Sequence, residues 1–156
     1  MPACRLLVGK LNRDGAAWGE PVPGKGIVDC EAFDNDEPTK RLAIQVVRAN
    51  TDPNLWKALN THKRVSQLQT PQMELADQLK QAIEKKANKI QLGLREGLML
   101  ALDATRLPAL AFDEVVLLFE RQFGLWAKSL GFEGIWLVGP VDELISRLDR
   151  ISNGLP

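Results

Sequence analysis

Ile27–Ala49 reads IVDCEAFDNDEPTKRLAIQVVRA, and the way this stretch pairs with itself decides the fold. Val28, Cys30 and Ala32 alternate with Asp29 and Glu31. That two-residue period predicts a half-buried strand over Ile27–Phe33. Asp34-Asn35-Asp36-Glu37-Pro38 has the Asx and proline content of a turn. Arg41–Ala49, rich in β-branched residues, is the next strand. The short link between the two predicts an antiparallel hairpin.

Upstream, Cys4–Leu11 (CRLLVGKL) reads as a further short strand, and Asn12–Gly26, with four Gly and two Pro, as loop. Downstream, Asp52-Pro53 and Thr70-Pro71 both have the cap-then-proline form of a helix start. The first opens an imperfectly periodic helix over Asn54–Leu68. The second opens a helix of roughly 20 residues, with Leu75, Leu79, Ile83, Ala87, Ile90 and Leu94 as its apolar stripe. Gly97–Asp103 (GLMLALD) has the continuous apolar character of a buried strand, although a run this short also suits a helix. Phe112–Leu130 is a helix with Asp113 and Glu114 in its first turn. Its stripe is Val116, Phe119, Phe123, Ala127 and Leu130, and Gly131 stops it. Gly134–Val138 (GIWLV) is a second buried strand, and Gly139-Pro140 introduces a last helix from Val141 to about Ile151.

The expected order is β-β-β-α-α-β-α-β-α. It defines an α/β (mixed α+β) fold in one domain, residues 1–156. A central mixed sheet starts with an antiparallel strand run, continues as α-β-α-β-α, and has helices on both faces.

Composition suits a folded chain: 45% hydrophobic and 26% charged residues argue against disorder. No apolar run approaches the ~20 residues of a membrane span, and Met1-Pro2-Ala3-Cys4-Arg5 lacks the apolar core of a secretory signal. Cys4 and Cys30 form no CxxC pair, which points to reduced thiols and a cytoplasmic setting. Net charge is zero, but its distribution is uneven. Residues 57–95 hold eight bases against three acids, whereas residues 96–156 net −4.

Gly19–Gly26 (GEPVPGKG) nearly fits the phosphate loop GxxxxGK[ST]. Two of its positions are proline, which has no N–H to offer a phosphate, and Gly26 replaces the metal-binding hydroxyl. The extended segment that follows is not the helix N-terminus the motif needs, so a turn-rich loop is the better reading. His62 is the one histidine. Without GxSxG or an activated cysteine it reads as a helix-surface residue beside Lys63 and Arg64.

Asp29 and Glu31 share one strand face, and on the neighbouring strand Gln45 and Val47 share the corresponding face. Asp29, Glu31 and Gln45 are therefore candidate oxygen ligands for Mg²⁺. The alternative is a solvated sheet face beside an acidic turn. Lys63, Arg64, Lys85, Lys86 and Lys89 are candidate phosphate contacts, since counterion release rewards such pairing. The alternative there is a plain lysine-rich helix surface.

In element order the chain resembles the core of the PD-(D/E)XK nuclease superfamily: three antiparallel-type strands, a helix, then a strand. The resemblance implies metal-dependent phosphodiester hydrolysis, or nucleic-acid binding in a degenerate relative. Asp29, in Gly26-Ile27-Val28-Asp29, falls at the family's Asp. Gln45, in Ala43-Ile44-Gln45-Val46-Val47, falls at the second acid, a place some members fill with glutamine. Val47 stands where the family has lysine, and Lys85, Lys86 or Lys89 is the expected replacement from the following helix. This gives Asp29, Gln45, Lys85 and Lys86 as the catalytic set. The family core also carries a helix before its first strand, and little chain precedes Cys4.

Two other readings stand beside this one. The basic middle and acidic C-terminal third suit a non-catalytic interaction module, homodimeric through an isologous contact. Asp103, Thr105, Gly139 and Pro140, at the carboxyl ends of the two buried strands, are placed to rim a small-molecule crevice.

Overall fold

The structure, a computed structural model, describes residues 2–49, 71–105, 109–141 and 144–150. In chain order the elements are α1 (Pro2–Arg13), β1 (Val22–Pro23), β2 (Cys30–Phe33), β3 (Arg41–Arg48), α2 (Pro71–Lys89), the single-turn α3 (Leu92–Arg95), β4 (Leu98–Asp103), α4 (Ala109–Ser129), β5 (Gly134–Val138) and β6 (Ile145–Arg147). The six strands form one mixed sheet in the order β1-β2-β3-β4-β5-β6. This is the α/β architecture expected from the sequence. The expected helix over Asn54–Leu68 lies outside the described residues.

The β2–β3 hairpin forms as expected, antiparallel, with Cys30 opposite Ile44 and Phe33 opposite Arg41. β3, β4 and β5 then run parallel, and their central pairs are Gln45 with Leu100 and Leu100 with Ile135. Parallel strands are covered on both faces, which is why β4 and β5 are buried along almost their whole length. Helices α2 and α4 lie on the same face. There Leu75, Leu79, Ile83, Phe112, Val115 and Phe119 pack with Ala43, Val47, Leu100, Leu102, Ile135 and Leu137. Helix α1 covers the other face, where Ala3, Cys4, Leu7 and Val8 meet Cys30, Ile44, Met99, Ala101 and Trp136.

Three sequence expectations are corrected. Cys4–Leu11 is not a strand but most of helix α1. Its buried residues Ala3, Cys4, Leu7 and Val8 recur at helical spacing, and Lys10 and Arg13 occupy the last turn, where cations suit the helix dipole. The final helix from Val141 is replaced by a turn and strand β6, antiparallel to β5. Gly139 N–H donates to the carbonyl of Leu144 (2.7 Å) and Leu148 N–H to that of Ile135 (2.7 Å), so the edge of β5 is paired rather than left open. Last, Cys4 and Cys30 are joined in a disulfide between α1 and β2. The cytoplasmic expectation rested on free thiols and loses that support.

Among the described residues no helix is long and apolar enough to cross a membrane.

Candidate functional site

The chain reaches β2 through a tight turn in which Val28 N–H donates to Lys25 C=O at 3.1 Å. The chain therefore leaves the ladder at Val28, and Asp29 takes over the pairing with β3. Its backbone N–H donates to the carbonyl of Ile44 (2.9 Å). Its carboxylate Oδ2 accepts the N–H of Val46 (2.7 Å). Both contacts straddle Gln45, which lies opposite Asp29 by the register of the hairpin. An exposed carboxylate just before β2 begins thus accepts from a backbone donor of β3 that lies beyond the β2 ladder.

Gln45 is 8% exposed and sits between Ala43 and Val47 on the face that α2 and α4 cover. Its Oε1 is buried and has no hydrogen-bond partner among the described residues. Gln78 Oε1 and Trp136 Nε1 share that condition. Leaving such an acceptor unsatisfied costs about 1–3 kcal/mol.

The remaining candidates disperse. Glu31 Oε2 accepts from Arg41 Nη1 at 3.0 Å, which ties it to its own hairpin. Val47, where the resemblance leads one to expect lysine, is 7% exposed and belongs to the core beneath α2 and α4. On α2, the core-facing row is Leu75, Leu79, Ile83 and Ala87, continued by Ile90 just past its end. Lys85 and Lys89 are exposed and Lys86 half-buried. Lys85 stands about 200° around the helix from Ile83, on the side away from the sheet. The structure therefore brings Asp29 and Gln45 together, while Lys85 and Lys89 form a separate outward ridge. Lys63 and Arg64 lie outside the described residues.

Among the described residues, the candidate oxygens left for Mg²⁺ are Asp29 Oδ1, Gln45 Oε1 and the second oxygen of Glu31, whose carboxylate is paired with Arg41. Among the described residues no group of three or more His, Cys, Asp or Glu side chains gathers to hold a metal. A carboxylate that caps the backbone, a second already paired with an arginine and one neutral carboxamide are a poor fit to a resident divalent cation, which draws its affinity from free carboxylates.

The small-molecule crevice finds little support in the topology. Strand order never reverses along the sheet, so there is no switch point at which a ligand crevice opens. Asp103 Oδ1 is taken up locally by Thr105 N–H (3.0 Å) and Thr105 Oγ1 (2.7 Å).

One residue missed at the sequence level organises this end of the molecule. Arg95 donates to the carbonyls of Ala87 (2.6 Å), Ile90 (3.0 Å) and Leu130 (2.9 Å). A single guanidinium thus closes off the chain leaving α2 and the chain leaving α4, using its planar fork of donors. Only its position just after a long helix hinted at this.

No protein-family model, curated protein or solved structure matches this chain.

Proposed function

We propose that this chain is a nuclease-like scaffold that binds nucleic acid without hydrolysing it. The observation that carries the reading is Val47: the place of the hydrolytic lysine is filled by a core residue, directly beside the facing pair Asp29 and Gln45. A lysine there would have to bury its ammonium under α2 and α4, at a large desolvation cost. Two further features support the kinship. Helix α1 supplies the element that the family core places before its strands. The β1-β2-β3 antiparallel run is followed by a helix and by β4 parallel to β3. Binding falls to the outward ridge of Lys85 and Lys89, with the half-buried Lys86 beside it.

The test is fluorescence anisotropy on a labelled DNA duplex across a salt series, with a parallel incubation in Mg²⁺ or Mn²⁺. Affinity falls as salt rises, and Lys85→Ala and Lys89→Ala each lower the slope by about 0.9. No binding at low salt defeats the binding half of the proposal. Strand cleavage that Asp29→Ala abolishes defeats the non-hydrolytic half.

A further inference from the structure

Helix α4 spends about half of its circumference on the fold. Phe112, Val115, Val116, Phe119 and Ala127 are in the core. On one flank Phe123 and Trp126 lie under the ammonium of Lys80 from α2. On another, Glu120 accepts from Arg150 at 3.1 Å. The side that remains is bordered by exposed Asp113, Gln122 and Ser129, and its central row is Glu114, Leu117, Arg121, Leu125 and Lys128, all exposed, with Leu117 at 43% and Leu125 at 64%. At 100° per residue these five side chains fall within an arc of about 80°.

The order of chemistry along the row is its informative feature. Leu117 and Leu125 lie four residues either side of Arg121, and Glu114 and Lys128 lie seven either side. Turned end for end about Arg121, the row becomes its own complement. Each leucine meets the other leucine, and each acid meets a base. In a parallel arrangement Glu114 would face Glu114 and Lys128 would face Lys128, so charge selects the antiparallel one, as do the helix dipoles.

We propose that α4 packs antiparallel against α4 of a second copy of this chain, about a two-fold axis at Arg121. The contact is isologous, so each Leu117–Leu125 and Glu114–Lys128 pairing occurs twice. The leucines supply the attraction and the ion pairs the register, since exposed ion pairs contribute little on their own. The two Arg121 side chains meet near the axis. Their length lets the stems cover the leucines while the guanidiniums reach water. The proposal stands independently of nucleic-acid binding.

Sedimentation equilibrium of the full chain over a concentration series tests it, with circular dichroism to confirm that each variant is folded. The wild-type mass rises from 17.3 kDa toward twice that value. Leu125→Asp holds it at the monomer. Glu114→Lys weakens association by about fivefold, and so does Lys128→Glu. The double variant Glu114→Lys/Lys128→Glu regains wild-type association. Residues 114 and 128 are about 21 Å apart along one helix, too far to compensate within one chain, so rescue reports contact between copies. A wild type that stays monomeric throughout overturns the proposal. So does a dimer indifferent to Leu125→Asp, or a double variant no better than the singles.

Discussion

Cys4 of α1 and Cys30 of β2 are covalently joined across 26 residues of sequence. The link fixes helix α1, on one face of the sheet, to the hairpin beside Asp29. Both cysteines are buried, so the bond also sits inside the apolar layer between α1 and the sheet. Closing a loop of this length removes chain entropy from the unfolded state worth about 3.5 kcal/mol. The pair Cys4→Ala/Cys30→Ala should lower the unfolding free energy by roughly that amount in urea. Thiol titration of the denatured, unreduced wild type should find no free thiol. Titration of both thiols would show that the bond is not formed and return the chain to the reduced setting.

Arg95 joins the ends of two helices that pack on the same face. Replacing it with Ala leaves three carbonyls without their charged donor, and the expected loss is about 2–4 kcal/mol. Arg95→Lys should recover only part of this, because an ammonium on a flexible stem cannot reproduce the fork that reaches Ala87, Ile90 and Leu130 together. Urea midpoints of the two variants check the ranking. A lysine variant as stable as wild type would mean that charge alone suffices.

The parts of the fold that could be read in sequence are those where one periodicity had no competitor. Cys30–Phe33 alternates, Arg41–Arg48 is rich in β-branched residues, and α2 and α4 each run for about five to six turns. Cys4–Leu11 was misread because a short apolar run fits a strand and a helix equally well. What settles it is burial against β3 to β5, a long-range effect invisible locally. The last strand failed for a related reason. Ile145–Arg147 is held by the open edge of β5, and three residues carry too little pattern to show that. At the candidate site, strand alternation put Asp29 and Gln45 on corresponding faces, and the hairpin register sets them opposite each other. Spacing alone could not show that Asp29 already serves Val46.

Asp34 holds the acidic turn. Its Oδ1 accepts the N–H groups of Asp36 (2.8 Å) and Glu37 (3.1 Å), and these bonds lower its pKa below the ordinary 3.8, with Lys40 adding to the effect. A carboxylate held down in the folded state stabilises it above its unfolded pKa. That contribution fades as pH falls from about 3.8 through the lower folded value. Thermal unfolding below neutral pH should therefore show a wild-type decline in this acid window that is shallower in Asp34→Ala. Identical pH profiles for the two proteins would remove Asp34 from the acid response.

Gln45 offers the sharpest separation of stability from function. Its buried Oε1 lacks a partner, yet its neighbours Ala43 and Val47 are ordinary core residues. Gln45→Met keeps the length and removes the orphaned acceptor, so the folded state should gain about 1 kcal/mol. If the carboxamide is kept for recognition beside Asp29, the more stable variant binds DNA more weakly than wild type. If it is only a residue of ancestry, stability rises and affinity holds. The two measurements, a urea midpoint and an anisotropy titration on the same variant, decide between them. A Gln45→Met protein less stable than wild type would show instead that Oε1 has a partner in the folded chain.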